Sequence, residues 1–194
     1  MPTKSNIQTL WPICRMKRLI TYFAFFLTLQ ISCNGQSFFN LTDSVFEVGQ
    51  INRVDISWDL SGSCPIRGES IPLIDSIYNF INKYKNVQIE VGANTDYRGD
   101  SIMNVEITER RAKCVKTYFI EKGIDNPNRI KYKGYGEYNP IVIDEEINKL
   151  YPFLDIGQKL TETYIKKLDT IEKQEIANLL NHRTEIKIIS TNRP

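Results

Sequence analysis

The chain is predicted to fold as an α/β (α+β) two-layer sandwich in the order β-α-β-α-β-α-β, with helices over one face of a mixed sheet. Three observations predict it. Apolar and polar residues alternate at Val54-Asp55-Ile56-Ser57-Trp58, around Val87, Ile89 and Val91, and at Ile186 and Ile188, the period of a strand with one face on a core. Between these runs, Ile71, Ile74, Ile77, Tyr78 and Ile81, then Ala112, Val115 and Phe119, recur at helical spacing. Strands that alternate with helices are most simply packed as helix on sheet.

The elements follow in order. The strand at Val54 to Trp58 is broken by Ser61-Gly62-Ser63-Cys64-Pro65. Ser70 can cap the first helix, which runs to about Tyr84 and tolerates Pro72 in its first turn. The strand through Val91 then delivers Asp96 just beyond its C-terminal end, where open α/β sheets commonly bind ligands. Thr108 is a natural N-cap and Glu109 a natural first-turn acid, so the second helix is expected from Thr108 to Lys122, with Gly123 as its C-cap. Ile130 and Tyr132 continue a third strand toward Gly134-Tyr135-Gly136-Glu137. Residues 141–180 are long for a connection and are expected to end in a helix that carries Tyr164, Ile165, Leu168, Ile171, Ile176 and Leu179, with a break near Asp169-Thr170. Ile186 and Ile188 form the last strand.

Composition bounds the rest. A chain of 194 residues, 41% hydrophobic and 25% charged, can bury one ordinary core, and no internal repeat or low-complexity tract divides it. The expected division is a leader at 1–35, a short linker at 36–44 and one domain at 45–194. The formal charge is +2, but Lys4, Arg15, Lys17 and Arg18 all precede residue 33 with no acid among them; subtracting these four leaves −2. A mature chain of that charge has no general basic surface, which argues against nucleic acid as a partner.

Met16-Lys17-Arg18 followed by the apolar run Leu19 to Leu29 reads as an export signal, with Met16 as a second candidate start. The run is shorter than the roughly 20 apolar residues of a membrane span. Leu29-Gln30-Ile31-Ser32-Cys33 resembles a lipoprotein box, so one product is lipidated at Cys33; ordinary cleavage after Gly35 gives the other. Of the remaining cysteines, Cys64 and Cys114 lack metal-ligand spacing and are either bridged or free, small buried hydrophobes.

Asp96 and Arg111, fifteen positions apart, are the leading candidate site. With Thr108 as a cap, Arg110 and Arg111 fall in the first helical turn, where the helix dipole disfavours cations by about 0.3 to 1 kcal/mol. Either the arginines pair with Glu106, Glu109 or Asp96, or one of them uses its planar fork to hold a carboxylate from a ligand.

The run Thr95-Asp96-x-x-Gly99, then Asn104-x-x-Ile107-Thr108-x-x-Arg111-Ala112-x-x-Val115-x-x-Tyr118-Phe119, Gly123-Ile124, Arg129-Ile130 and Gly134-Tyr135-Gly136-Glu137-x-x-Pro140 resembles the OmpA-like peptidoglycan-binding domain. Asn181-His182-Arg183-Thr184-Glu185-Ile186 resembles that family's entry to its closing strand. The resemblance implies a non-catalytic protein without a cofactor or metal, which binds peptidoglycan through diaminopimelate in the peptide stem. It places the ammonium on Asp96 and the carboxylate on Arg111, with Asn104 and the backbone around Ile107 shaping the pocket and Thr95 and Arg183 supporting it. Two departures stand out: His182 replaces an expected arginine, and 141–180 holds a long insertion, a candidate surface for another envelope protein. The implied location is the periplasmic face of the outer membrane, through a lipid on Cys33, or the soluble periplasm. A stator-like protein anchored in the inner membrane and a wall hydrolase are the alternatives.

Other candidates have bland readings. His182 is the single histidine and stands alone for metal or triad chemistry. Glu90 and Asp96 would have to form any glycosidase pair, yet Glu90 lies on the polar phase of its strand. Tyr132, Tyr135 and Tyr138 near the glycine turn read as packing before they read as a sugar platform. Asp144-Glu145-Glu146 lacks the spacing of a calcium loop and reads as a solvated face.

Overall fold

Val87, Ile89 and Val91 place their side chains in the core, and the strand they build is the middle of the sheet. In the computed structural model, which describes residues 37–58 and 66–191, four strands are present: β1 (Ile51–Val54), β2 (Val87–Asn94), β3 (Ile130–Gly136) and β4 (Thr184–Thr191). Their order is β1-β4-β2-β3, with β2 and β3 parallel and β4 antiparallel to both neighbours. Helices α1 (Ile71–Lys83) and α2 (Ser101–Glu121) supply Ile74, Ile77, Phe80 and Ile81, and Ala112, Val115 and Phe119, to one cluster with Val87, Ile89, Val91, Ile130, Ile186 and Ile188. The sheet is therefore mixed and covered by helices on one face. On the other face, Glu90 lies in register between Lys131 and Lys187, an arrangement of opposite charges across neighbouring strands.

Residues 141–181 have a core of their own. They contain α3 (Glu145–Leu150), α4 (Glu162–Ile165) and α5 (Ile171–Asn181), and Ile141, Ile143, Ile147, Leu154, Leu160, Ile165 and Ala177 form a second cluster. Asn181 closes its base: Oδ1 accepts from the Ile141 amide at 3.0 Å while Nδ2 donates to the Leu160 carbonyl at 2.7 Å. The acidic run at its start is more than a solvated face. Asp144 caps α3 by accepting from the Ile147 amide and binds Arg53 Nη1 at 2.8 Å, whereas Glu145 and Glu146 are exposed.

Several expectations need correction. The first strand is hydrogen-bonded over Ile51–Val54, although Val54 and Ile56 are both buried as their alternation requires. The second helix begins at Ser101, two turns before Thr108. Asp100 is its N-cap, accepting from the Met103 amide at 3.0 Å, and Thr108 is buried inside the helix. Arg110 and Arg111 are thus mid-helix residues and feel no N-terminal dipole. In the insertion the helix is indeed broken, with Thr170 capping α5, but Ile171 and Leu179 are exposed while Ala177, Asn178 and Asn181 face inward. Residues 37–44 are not a free linker: Phe39 is buried in the main core and packs on Phe46 and Phe80. Cys114 is disulfide-bonded. Cys64 and the predicted break around it lie outside the described residues, as do the leader and Cys33.

Candidate functional site

A cleft of about 680 Å³ opens where β1 and β2 end and β4 begins. β1 contributes Arg53, β2 contributes Asn94, and the turn into β4 contributes His182 and Arg183. α2 adds Arg111, and the insertion adds Ile147 and Leu150 of α3 and Ile176 and Leu179 of α5. Asn94 and Arg183 are held by mutual constraints. The Asn94 amide donates to the Arg183 carbonyl at 2.9 Å, Asn139 Nδ2 donates to Asn94 Oδ1 at 3.0 Å, and Arg183 Nη2 donates to the Asn139 carbonyl at 3.0 Å.

The three arginines of the cleft differ in their partners. Arg53 pairs with Asp144, and Arg183 pairs with Glu185 through Nε at 2.7 Å. Among the described residues Arg111 has no carboxylate within ion-pair distance; its guanidinium lies over the Trp58 ring, 5.7 Å from the centroid. Burial lowers its pKa from the ordinary arginine value, the sign of a cation held partly out of water without a compensating anion.

Asp96 is differently placed. It is 2% exposed and not a lining residue of the cleft. Its Oδ1 accepts from the Arg98 amide at 2.8 Å, and Oδ2 accepts from Arg98 Nε at 3.0 Å and Nη2 at 2.7 Å. His182 Nε2 stands 3.0 Å from the same Oδ2 and 2.7 Å from Thr95 Oγ1, so His182 joins the buried carboxylate to the cleft that it lines. Burial pushes the Asp96 carboxyl upward, but hydrogen bonds from His182 and Arg98 outweigh it and hold the pKa well below the usual carboxylate range. Arg98 continues outward to Glu175 on α5 at 2.9 Å.

Thr95 donates its amide to the Gly136 carbonyl at 2.9 Å, which fixes the loop against β3. Asn104, also buried, donates to the Arg98 carbonyl at 3.1 Å and to Glu137 Oε2 at 2.8 Å, tying that loop to α2. Ile107 is half-buried on α2, and neither it nor Asn104 lines the cleft. The structure therefore gathers Arg111 and Arg183 at the cleft and Asp96 and Thr95 in the adjoining loop, which Asn104 ties to α2, with His182 between the groups. Sequence reasoning missed Arg98 and the leucines of the insertion. Arg98, two residues after an acid in a loop, had the signal of a local turn; the leucines had none, because exposed apolar residues look like a buried stripe. Glu90, the other half of a conceivable carboxylate pair, accepts from Tyr135 Oη at 2.6 Å.

Residues 61–150 match the OmpA family model. Outer membrane protein P5 of Haemophilus influenzae is 31% identical over 80 residues, 41% of this chain and 22% of that protein. Peptidoglycan-associated lipoprotein of Pasteurella multocida is 32% identical over 81 residues, 42% of this chain and 53% of that protein. The chain thus spans about a fifth of the one relative and about half of the other. The crystal structure of the peptidoglycan-associated lipoprotein from Burkholderia pseudomallei aligns over 69% of this chain and 87% of that one, with 15% identity and a TM-score of 0.46. No helix among the described residues is long and apolar enough to cross a membrane. On its sequence motifs and the family match, the chain carries a domain of the OmpA family over residues 61–150.

Proposed function

We propose that the protein is a non-catalytic envelope component that binds peptidoglycan by the diaminopimelate of its peptide stem and so tethers the envelope to the wall. The observation that carries this reading is Arg111: partly desolvated on Trp58, open to a cleft, and without a carboxylate among the described residues. A planar guanidinium in that state is a site for a ligand carboxylate, gripped by two parallel hydrogen bonds. Asp96 receives the ammonium. In the free protein the Arg98 side chain occupies the carboxylate, and its exposed bond to Glu175 gives it a second place to rest when the ligand arrives. Thr95 and Arg183 hold the two sides of the site, and Asn104 holds the loop to α2. The membrane end of the tether is a lipid on Cys33; a mature protein beginning at Gln36 instead places the domain free in the periplasm, and the mass of the mature N-terminus distinguishes the two.

The test is co-sedimentation with diaminopimelate-type sacculi at moderate salt. Wild type is expected to pellet, and Arg111→Ala and Asp96→Ala to remain in solution, each losing roughly 2 to 5 kcal/mol of binding as one member of a desolvated charge pair. Equal pelleting of all three proteins overturns the assignment.

A further inference from the structure

The face of the sheet turned away from α1 and α2 carries Lys131 and Lys133 of β3 and Lys187 of β4, and all three are exposed. Lys131 and Lys187 flank Glu90 in register, yet neither makes an ion pair among the described residues. The acids of this face are already engaged: Glu90 accepts from Tyr135 Oη at 2.6 Å, and Glu185 accepts from Arg183 Nε at 2.7 Å. Lysines on an exposed edge strand commonly guard against stray pairing, which accounts for the two on β3. Lys187 has no edge to guard, because β4 lies inside the sheet between β1 and β2.

The chain enters the described structure on the same face. Phe38 pairs with Ile51 at the outer edge of β1, the Arg53 guanidinium lies 4.5 Å from the centroid of its ring, and Ile51 stands in register with Lys187. Cys33 precedes Ser37 by four residues, a span of at most about 14 Å when fully extended. An acyl chain on Cys33 therefore keeps this side of the sheet close to the bilayer surface. A part-exposed aromatic ring beside three ammonium groups suits the apolar boundary and the headgroup phosphates found there. We infer that the lysine-bearing face of the sheet is a membrane-docking surface, seated on the anionic headgroups of the leaflet that holds the Cys33 lipid. The inference rests on the reading of Cys33 as the lipidated residue and is independent of the Arg111 site. Because the cleft opens at the ends of the strands, a sheet lying flat on the membrane leaves it accessible to the wall.

The experiment is trace acetylation of lysine amines in the mature protein, extracted from membranes and reconstituted into phosphatidylcholine vesicles with or without phosphatidylglycerol, each site being read by mass spectrometry of its peptide. Lys131, Lys133 and Lys187 are expected to react more slowly on the phosphatidylglycerol vesicles, by roughly fivefold each. High salt should abolish the difference by screening the headgroup charge. Lys113 on α2 and Lys167 in the insertion, both exposed and away from this face, should react alike on the two vesicles. Lys187→Gln should lessen the protection of Lys131 and Lys133 and leave the two reference lysines unchanged. Equal rates at all five lysines on the two vesicles overturn the docking face, as does protection that appears only when sacculi are added. An N-terminal peptide of the mature protein that carries no lipid overturns the reading of Cys33 and the docking face with it. All of these results leave the Arg111 site to its own test.

Discussion

Asp96 is a buried carboxylate whose charge is secured from two directions, by Arg98 in its own loop and by His182 at the end of α5. Its pKa in the folded protein lies below that in the unfolded chain, so the unfolded state takes up the proton first as pH falls. The stability linked to this group is present above the ordinary aspartate value near 4 and is lost as pH falls from there through the depressed folded pKa. Asp96→Asn removes this linkage. Urea denaturation at pH 7 and pH 3 is expected to show a smaller loss of stability on acidification in the variant than in wild type. Equal losses would mean that Asp96 contributes nothing to the acid response. How much of this site the sequence disclosed depends on the residue. Asp96 and Arg111 stood out as candidates in the sequence because their residue types and motif surroundings suggest chemistry. The His182 contact was not legible there, since it depends on how a loop and a helix end 86 positions apart meet, and Arg98, two residues from Asp96, gave only the signal of a local turn.

At the scale of elements, α2 is the instructive one. Its later turns, with Ala112, Val115 and Phe119 fully buried, were plain from helical periodicity. Its first two turns were hidden because they invert the usual pattern. Ile102 and Met103 are exposed, while Asn104 and Thr108 are buried. Asn104 bonds the loop after β2, while Thr108 meets the backbone of β3: its Oγ1 accepts from the Gly136 amide at 2.9 Å and donates to the Asn104 carbonyl at 2.8 Å. The approach is so close that a Cβ on Gly134 would stand 2.3 Å from the Glu109 amide nitrogen. Gly134→Ala must therefore push α2 from β3, at an expected cost of about 1 to 3 kcal/mol or more, as overpacking costs elsewhere. Thermal or urea denaturation measures it, and an unchanged midpoint would contradict the close packing. The strands at Val87 to Val91 and Ile186 to Ile188 were legible for the opposite reason, since each buries one clean alternating face.

At the scale of the whole molecule, the two hydrophobic clusters divide the work. One joins helices to sheet, and the other gives 141–181 a fold of its own, pinned at its base by Asn181. A cavity in the second cluster should loosen that segment before the rest. Leu154→Ala, at a fully buried position, is expected to cost about 2 to 5 kcal/mol locally. Hydrogen exchange should accelerate mainly within 141–181, whereas Ile89→Ala should accelerate exchange throughout the sheet. Uniform acceleration by Leu154→Ala would mean the clusters unfold as one.

The strand order adds a condition on when the fold can form. β4 comes last among the described strands yet lies between β1 and β2, and among the described residues it is the one named strand that pairs with β1. Val87 pairs with Thr191, so the central ladder closes only across most of the intervening chain. Such distant pairings make folding slow relative to chains held by local contacts. A chain emerging from its N-terminus can form α1 and α2 early, but it cannot complete the sheet until its final strand is free. Until β4 arrives, β1 and β2 lack the strand that lies between them, so the order of the strands makes completion of the sheet a late event however early the helices form.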